Sequence, residues 1–189
     1  MHKATHILLG LFLVCVAFGQ NGDIPDPEFS MRPYIRDNGG KLKDLDRTDV
    51  MQEIRVKNFA GASDKEGTNT TCLAPGLTST VRFKKGNIPP MFIKVKKDLE
   101  ATDVICVVKA EIKKDIRRFH ATSATAGGVL YNEQKDTIKP MFRKLAPGVF
   151  QVDFPANFGP GEYAFVSIIV DADATNYSSK TKISCFGVD

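Results

Sequence analysis

The chain has 189 residues, of which 25% are charged, and its formal net charge is +4 at pH 7. This length corresponds to about one domain, so we expect a single folding unit. The basic excess is mild and does not favour nucleic-acid binding, which requires a strongly basic stripe or face.

The first 19 residues have the pattern of a secretory signal peptide. Their apolar run, residues 7–18, is shorter than the roughly 20 residues that a membrane-spanning helix needs. Ala17 and Gly19 are the small residues that a signal peptidase requires before a cut at Gln20. We therefore expect residues 1–19 to be removed and the protein to be exported to the periplasm, the cell surface or the extracellular space.

Lipid anchoring at Cys15 is a weaker alternative, because Val14 stands where a lipobox has a small residue. No later stretch of the chain is long and apolar enough to span a bilayer. The sequence therefore predicts no transmembrane segment after the signal peptide has been removed.

The remaining chain alternates apolar and polar residues along most of its predicted strands. This period of two is typical of antiparallel strands with one buried and one solvent-facing side. Helical patterns are scarce, and residues 97–103 predict one turn at most. The predicted strands are centred on residues 81–83, 91–95, 106–112, 150–154 and 183–188, with a more continuously apolar strand over 162–170 that we expect to be covered on both sides.

The run Asp37-Asn38-Gly39-Gly40 separates two of the predicted strands and predicts a β-hairpin near the N-terminus. We therefore divide the chain into residues 20–48, which contain the hairpin, and residues 49–189, which form a β-sandwich. The two parts are expected to fold as one unit. Many short strands with Gly/Pro turns favour an all-β antiparallel sandwich.

Tyr163 refines this fold class. It follows the turn Gly159-Pro160-Gly161 and begins the continuously apolar strand. Immunoglobulin-like sandwiches place a tyrosine at such a corner, where its hydroxyl bonds back to an upstream backbone group. We therefore expect an immunoglobulin-like β-sandwich with a tyrosine corner at Tyr163, the alternative being an ordinary strand aromatic.

The order of these pieces resembles a family of uncharacterised exported bacterial proteins. The resemblance implies export and a β-sandwich, and it implies no activity. The matching pieces are Arg32-Pro33-Tyr34 with the Gly-Gly hairpin and Leu42/Leu45, a Lys/Arg-rich central strand, Pro160-Gly161-Glu162-Tyr163-Ala164-Phe165, and the terminal Cys185-Phe186-Gly187-Val188-Asp189.

After signal removal the chain has three cysteines, Cys72, Cys106 and Cys185, and one histidine, His120. In an oxidising compartment the simplest expectation is one disulfide and one remaining thiol, and the sequence does not decide which two pair. No close Cys-x-x-Cys spacing predicts a metal site, and no cofactor motif is found. A catalytic Cys–His pair is an alternative, although a loop histidine beside structural cysteines is the stronger expectation.

Basic residues are concentrated in the middle of the chain. Alternation along neighbouring strands would place them on one face as a cationic patch for anionic glycan or lipid. Lysines on a solvent-facing side also keep a sheet soluble and protect its edges from aggregation. Because interleaved acids dilute the patch, we expect this solubilising role rather than ligand binding. The patch residues are Arg82, Lys84, Lys94, Lys96, Lys109 and Lys113.

These observations leave three functional hypotheses. The leading one is a non-catalytic binding or structural module of the cell envelope, with an envelope protein or a surface glycan as partner. The second is a thiol-dependent hydrolase or redox protein that uses a free cysteine with His120. The third is binding of anionic glycan or lipid through the basic strands.

Overall fold

The computed structural model describes residues 24–58, 66–125, 128–130, 137–155, 158–167 and 180–189. The predicted signal peptide, with Cys15 and the cleavage site, lies outside these residues. The predicted all-β class is confirmed, and one short helix, α1 (Ala101–Val104), partly overlaps the helical turn expected at 97–103. In the described part of the chain, no helix could span a membrane.

The strands are, in chain order, β1 (Pro33–Arg36), β2 (Leu42–Asp44), β3 (Arg47–Asn58), β4 (Glu66–Pro75), β5 (Arg82–Phe83), β6 (Met91–Lys94), β7 (Ile105–Lys109), β8 (Glu111–Lys113), β9 (Ile116–Thr125), β10 (Gly128–Leu130), β11 (Thr137–Ile138), β12 (Met141–Ala146), β13 (Val149–Asp153), β14 (Gly161–Ser167) and β15 (Lys180–Val188).

The smaller sheet has five antiparallel strands in the order β12-β13-β6-β1-β2. The predicted N-terminal hairpin is confirmed, since β1 pairs with β2 from Tyr34 to Arg36. The Asp37 carboxylate accepts hydrogen bonds from the backbone N–H groups of Gly39 and Lys41, at 2.9 and 2.8 Å. Because β1 also pairs with β6, the hairpin is part of the main fold.

The larger sheet has ten strands, with the main order β10-β9-β4-β3-β15-β14-β7-β11. Its short strand β5 pairs with β15 in parallel, and β8 pairs with β9. Only Ala110 separates β7 from β8, yet β7 pairs with β14 and β8 pairs with β9. The sheet therefore curls round until it is nearly closed.

Two apolar cores result, because β14 and β15 are buried on both faces. Ala164 and Cys185 point into the nearly closed sheet. Their neighbours Tyr163 and Phe186 point outward and pack against the five-stranded sheet. The prediction of a central strand covered on both sides is thus confirmed for residues 162–166, and residues 168–170 lie outside the described part. The inner core contains Val50, Cys72, Ala74, Val108, Phe119, Ala164, Val166, Ile183 and Cys185.

The packing of the five-stranded sheet on the wall formed by β7, β14 and β15 is sandwich-like. The second sheet differs from an open sandwich layer because it encloses a core of its own. An immunoglobulin-like form of this sandwich therefore stays a prediction.

The turn between β12 and β13 gives a test of the smaller sheet. Gly148 has a φ of +76°, and a Cβ there would lie 2.6 Å from the Val95 carbonyl oxygen, whereas Gly40 has a φ of +79° and open space around it. We expect Gly40→Ala to lower the free energy of unfolding by about 1 kcal/mol through backbone strain alone. Gly148→Ala should lower it by about 2–4 kcal/mol, because a backbone collision is added. Urea denaturation of the two variants measures the difference, and equal losses would contradict the close approach to Val95.

Candidate functional site

Several strands of the nearly closed sheet end at the same level. Pro75, the last residue of β4, is paired with Ile116, which is paired with Lys113 at the end of β8. On the other side Gly161 begins β14 and is paired with Val188 of β15. We call this level the sealed end, because a buried network of charged groups fills it.

The network is built around Arg117 and Glu162, which are 3% and 7% exposed. The Arg117 guanidinium lies 3.4 Å from the Glu162 carboxylate and donates a 2.5 Å hydrogen bond to the Ser79 hydroxyl. Ser79 in turn donates its N–H and its hydroxyl to the same carboxylate oxygen, at 2.7 and 2.6 Å. The remaining Arg117 nitrogens donate to the carbonyls of Pro75 and Gly76. Such complete pairing is what allows charged groups to stay buried.

Arg82 extends the network to the end of β15. It donates to Glu162 Oε1 at 2.6 Å and forms hydrogen bonds with the Asp189 carboxylate. These bonds raise the pKa of Arg82 and lower the pKa of Asp189. Gly187 leaves the necessary room, because a Cβ there would collide with the Arg82 guanidinium and the Glu162 carboxylate.

The sequence alone does not single out Ser79, Arg117 and Glu162 as a cluster. A signal was present, however: each charged residue shares its strand face with inner-core residues. Glu162 is two residues from Ala164, and Arg117 is two residues from Phe119, and both neighbours point inward. A charge at an inward strand position needs a buried partner of opposite charge.

The expected disulfide is not present, and this prediction is wrong: no disulfide joins any two of Cys72, Cys106 and Cys185. They lie on β4, β7 and β15, and none of these strands is hydrogen-bonded to another of the three. Cys72 and Cys185 belong to the inner core, and Cys106 packs against it.

The thiols are poor nucleophiles at neutral pH. Burial raises the pKa of Cys72 and of Cys106 to about 12, and that of Cys185 to about 11. The thiolate is the reactive form, so each side chain stays protonated and unreactive near pH 7. In the part of the chain that the structure describes, no group of His, Cys, Asp and Glu side chains is arranged to hold a metal ion.

His120 lies in strand β9, so the expectation of a loop histidine is wrong. Its neighbour Phe119 points into the inner core, which places the imidazole on the outer face of the sheet. There Nδ1 is 3.1 Å from the Thr71 hydroxyl and Nε2 is 3.3 Å from the Glu111 carboxylate. The structure does not bring His120 together with a cysteine.

Tyr163 makes a contact of the kind expected from the sequence. Its hydroxyl donates a 2.7 Å hydrogen bond to the carbonyl of Gly159, four residues upstream. Its ring packs against Phe158 and Phe186 in the core between the sheets. The tyrosine thus fixes the turn before β14, and its identity as an immunoglobulin-type corner stays a prediction.

The six basic residues predicted as a patch do not share one strand face. Arg82 is held by Glu162 and Asp189, and Lys94 lies 2.6 Å from the Asp26 carboxylate. Lys94 and Lys96 belong to the β6 region of the smaller sheet, whereas β7 and β8 lie in the larger one. The other three patch residues lie at strand ends on the sealed end: Lys84 follows β5, Lys109 ends β7 and Lys113 ends β8.

Two further lysines complete a basic group there. Lys114 forms the β8–β9 turn with Asp115, and Lys85 follows β5, where its N–H donates to the Asp189 carbonyl. None of the group forms an ion pair with a described residue, although acidic side chains, among them Asp115 and Glu53, lie nearby. We call this group the basic cluster: Lys84, Lys85, Lys109, Lys113 and Lys114.

A surface pocket of about 230 Å³ adjoins the basic cluster. Leu73 and Ile116 supply its apolar lining, and the Arg118 side chain, 17% exposed, lies among the charged groups around it. The Arg118 Nε is buried and has no hydrogen-bond partner among the described residues. The pocket is lined by Glu53, Leu73, Lys113, Lys114, Ile116 and Arg118.

Comparison with known proteins found no relative of this chain: no family model, no curated protein and no solved structure matches it. The function must therefore be argued from the geometry alone.

The buried network predicts a large effect of Glu162→Gln. This change leaves the Arg117 guanidinium buried without an opposite charge, so we expect the free energy of unfolding to fall by about 2–4 kcal/mol. Glu100→Gln is the matched control, because Glu100 pairs with Lys144 at 2.7 Å in an exposed position. That change should lower the free energy of unfolding by less than about 1 kcal/mol. Similar losses for both variants, measured by chemical denaturation, would contradict a stabilising buried pair.

Thiol labelling tests the raised pKa values. Native protein at pH 8 should react slowly with N-ethylmaleimide at Cys72, Cys106 and Cys185, and unfolded protein should react fully, as peptide mass mapping would show. Because folding raises these pKa values above the ordinary 9.0, native stability should be unaffected below pH 9 and fall as pH rises towards 11–12. Rapid labelling of one thiol in the native protein would contradict the raised pKa values and would instead support a thiol-dependent hydrolase or redox protein.

Proposed function

We propose that this chain is an exported, non-catalytic binding module of the cell envelope, which holds an anionic partner at its sealed end. The observation that carries the proposal is the basic cluster of five lysines without ion-pair partners at one end of the larger sheet. Export to the periplasm or cell surface and the immunoglobulin-like form of the sandwich are parts of the same proposal, supported by the sequence pattern of residues 1–19.

The charge distribution supports a specific surface rather than a general one. The whole chain has a net charge of only +4, so five lysines at one end are a local excess. Like charges gathered on one surface raise the local potential and attract anions. Arg82 and Lys94 are neutralised by nearby acids, so they add little to the attraction of an anionic partner.

Binding is favoured over thiol catalysis by the position of the candidate groups. The three thiols have pKa values raised to about 11–12, and His120 is engaged with Thr71 and Glu111 on the outer face. A thiol nucleophile needs a lowered pKa or an adjacent base. Lys84, Lys85, Lys113 and Lys114 of the basic cluster, by contrast, are exposed and need no rearrangement to meet a partner.

The proposal is tested by retention of the protein on beads that carry a sulfated polysaccharide. We expect retention at low salt that weakens steeply as the ionic strength rises, since exposed charges are screened beyond about 10 Å at 0.1 M salt. Lys84→Glu/Lys85→Glu should abolish retention. Lys96→Glu/Lys97→Glu is the matched control, because these are also adjacent exposed lysines but lie before α1, away from the sealed end.

Equal loss of retention in both double variants would show that net charge, and not the sealed end, governs binding. Absence of retention in the parent protein, with its fold intact, would overturn the proposal itself. Retention that survives high salt would contradict the electrostatic mechanism.

A further inference from the structure

The sealed end also exposes aliphatic side chains, which a purely electrostatic surface does not require. Leu77, Ile112 and Ile116 are 47%, 49% and 39% exposed. They account for three of the seven large exposed hydrophobic residues in the described part of the chain. The seven are Ile24, Phe29, Met51, Leu77, Ile112, Ile116 and Met141.

These side chains are neighbours of the basic cluster. Ile112 precedes Lys113 on β8, and Ile116 is paired with Lys113 across the hairpin. The loop that carries Leu77 is joined to the same hairpin, because the Gly76 N–H donates a 2.9 Å hydrogen bond to the Asp115 carbonyl. Exposed aliphatic and basic groups therefore occur together on the β8–β9 hairpin and on the loop bonded to it. We call this group the tip: Leu77, Ile112, Lys113, Lys114 and Ile116.

The tip is held in place by the buried network. Arg117, which lies between Ile116 and Arg118 on β9, donates hydrogen bonds to the carbonyls of Pro75 and Gly76. These bonds fix the loop against the hairpin before any partner arrives. A surface that is ordered in advance loses less conformational entropy on binding.

Three aliphatic groups interspersed with lysines fit one anionic partner better than the others. A polysaccharide offers charges and hydroxyls but no apolar phase to receive Leu77 or Ile116. A bilayer that contains acidic phospholipids offers both, since aliphatic side chains enter the boundary of the acyl chains while lysines meet the phosphates. Lys109 and the pair Lys84 and Lys85 lie at the same end and would add to the attraction.

We propose that the tip docks onto the surface of an acidic phospholipid bilayer, as a peripheral contact in which Leu77, Ile112 and Ile116 enter the interface. This inference rests on the proposed function, since it names the anionic partner that the basic cluster meets. The chemistry required is an anionic headgroup above an apolar layer.

Co-sedimentation with vesicles tests the inference. We expect binding to vesicles of phosphatidylglycerol and phosphatidylcholine, and none to phosphatidylcholine alone, with each lysine of the tip contributing about fivefold in affinity. Ile112→Thr/Ile116→Thr should weaken vesicle binding by about tenfold or more and leave bead retention unchanged. Leu77→Ser, a loop change, serves the same purpose if the strand variant does not fold. Met141→Thr is the control, because Met141 is 66% exposed in the smaller sheet.

Insertion can be observed directly, because the chain contains no tryptophan. A single tryptophan at the tip, Leu77→Trp, should shift its emission to the blue on vesicle binding and be quenched by brominated lipid. Met141→Trp should show neither effect. Binding without a shift or quenching at position 77 would overturn the insertion of the tip.

The vesicle and bead results separate the two proposals. Retention on polyanion beads with no binding to acidic vesicles would overturn the lipid inference and leave the anionic-partner proposal standing. Failure of both assays in folded protein would overturn both proposals.

Discussion

The buried pair of Arg117 and Glu162 is the interaction on which this end of the fold depends. The two residues come from β9 and β14, which are not paired with each other, so their attraction acts across the inside of the nearly closed sheet. An ion pair in such a place is stable only when its remaining hydrogen-bonding groups are also satisfied. Ser79 and two backbone carbonyls satisfy them, and the loop that follows β4 is fixed as a result.

The same network has a consequence on the outside of the molecule. Arg117 holds the backbone at Gly76, and Gly76 is bonded to Asp115 in the β8–β9 turn. The exposed side chains of that loop and that hairpin are therefore presented on fixed backbones. A buried electrostatic contact thus orders an exposed surface in which apolar and basic side chains lie side by side.

The sequence predicts where the strands and turns lie better than it predicts which strands pair with each other. Alternation locates most strands, and the run from Asp37 to Gly40 locates the hairpin, because both signals are carried by adjacent residues. Which strands pair is decided by packing over long sequence distances. For this reason Lys94 and Lys109, on consecutive predicted strands, fall in different sheets, and Cys72 and Cys185 are buried on β4 and β15 without forming a disulfide. Lys114 likewise belongs to the basic cluster only because the β8–β9 turn lies at the sealed end.

Solubility alone explains the lysines of the sealed end but not the aliphatic groups among them. Lysines that merely protect a sheet edge replace apolar side chains there, since exposed aliphatic groups promote the aggregation that the lysines prevent. Here Ile112 and Ile116 remain exposed on either side of the turn that contains Lys114, and Leu77 is held next to them. Both kinds of side chain are used at once when the surface meets a partner with a charged outer layer and an apolar inner one. A bilayer of acidic phospholipids has that layering, and this is the physical reason for preferring it to a purely polar polyanion.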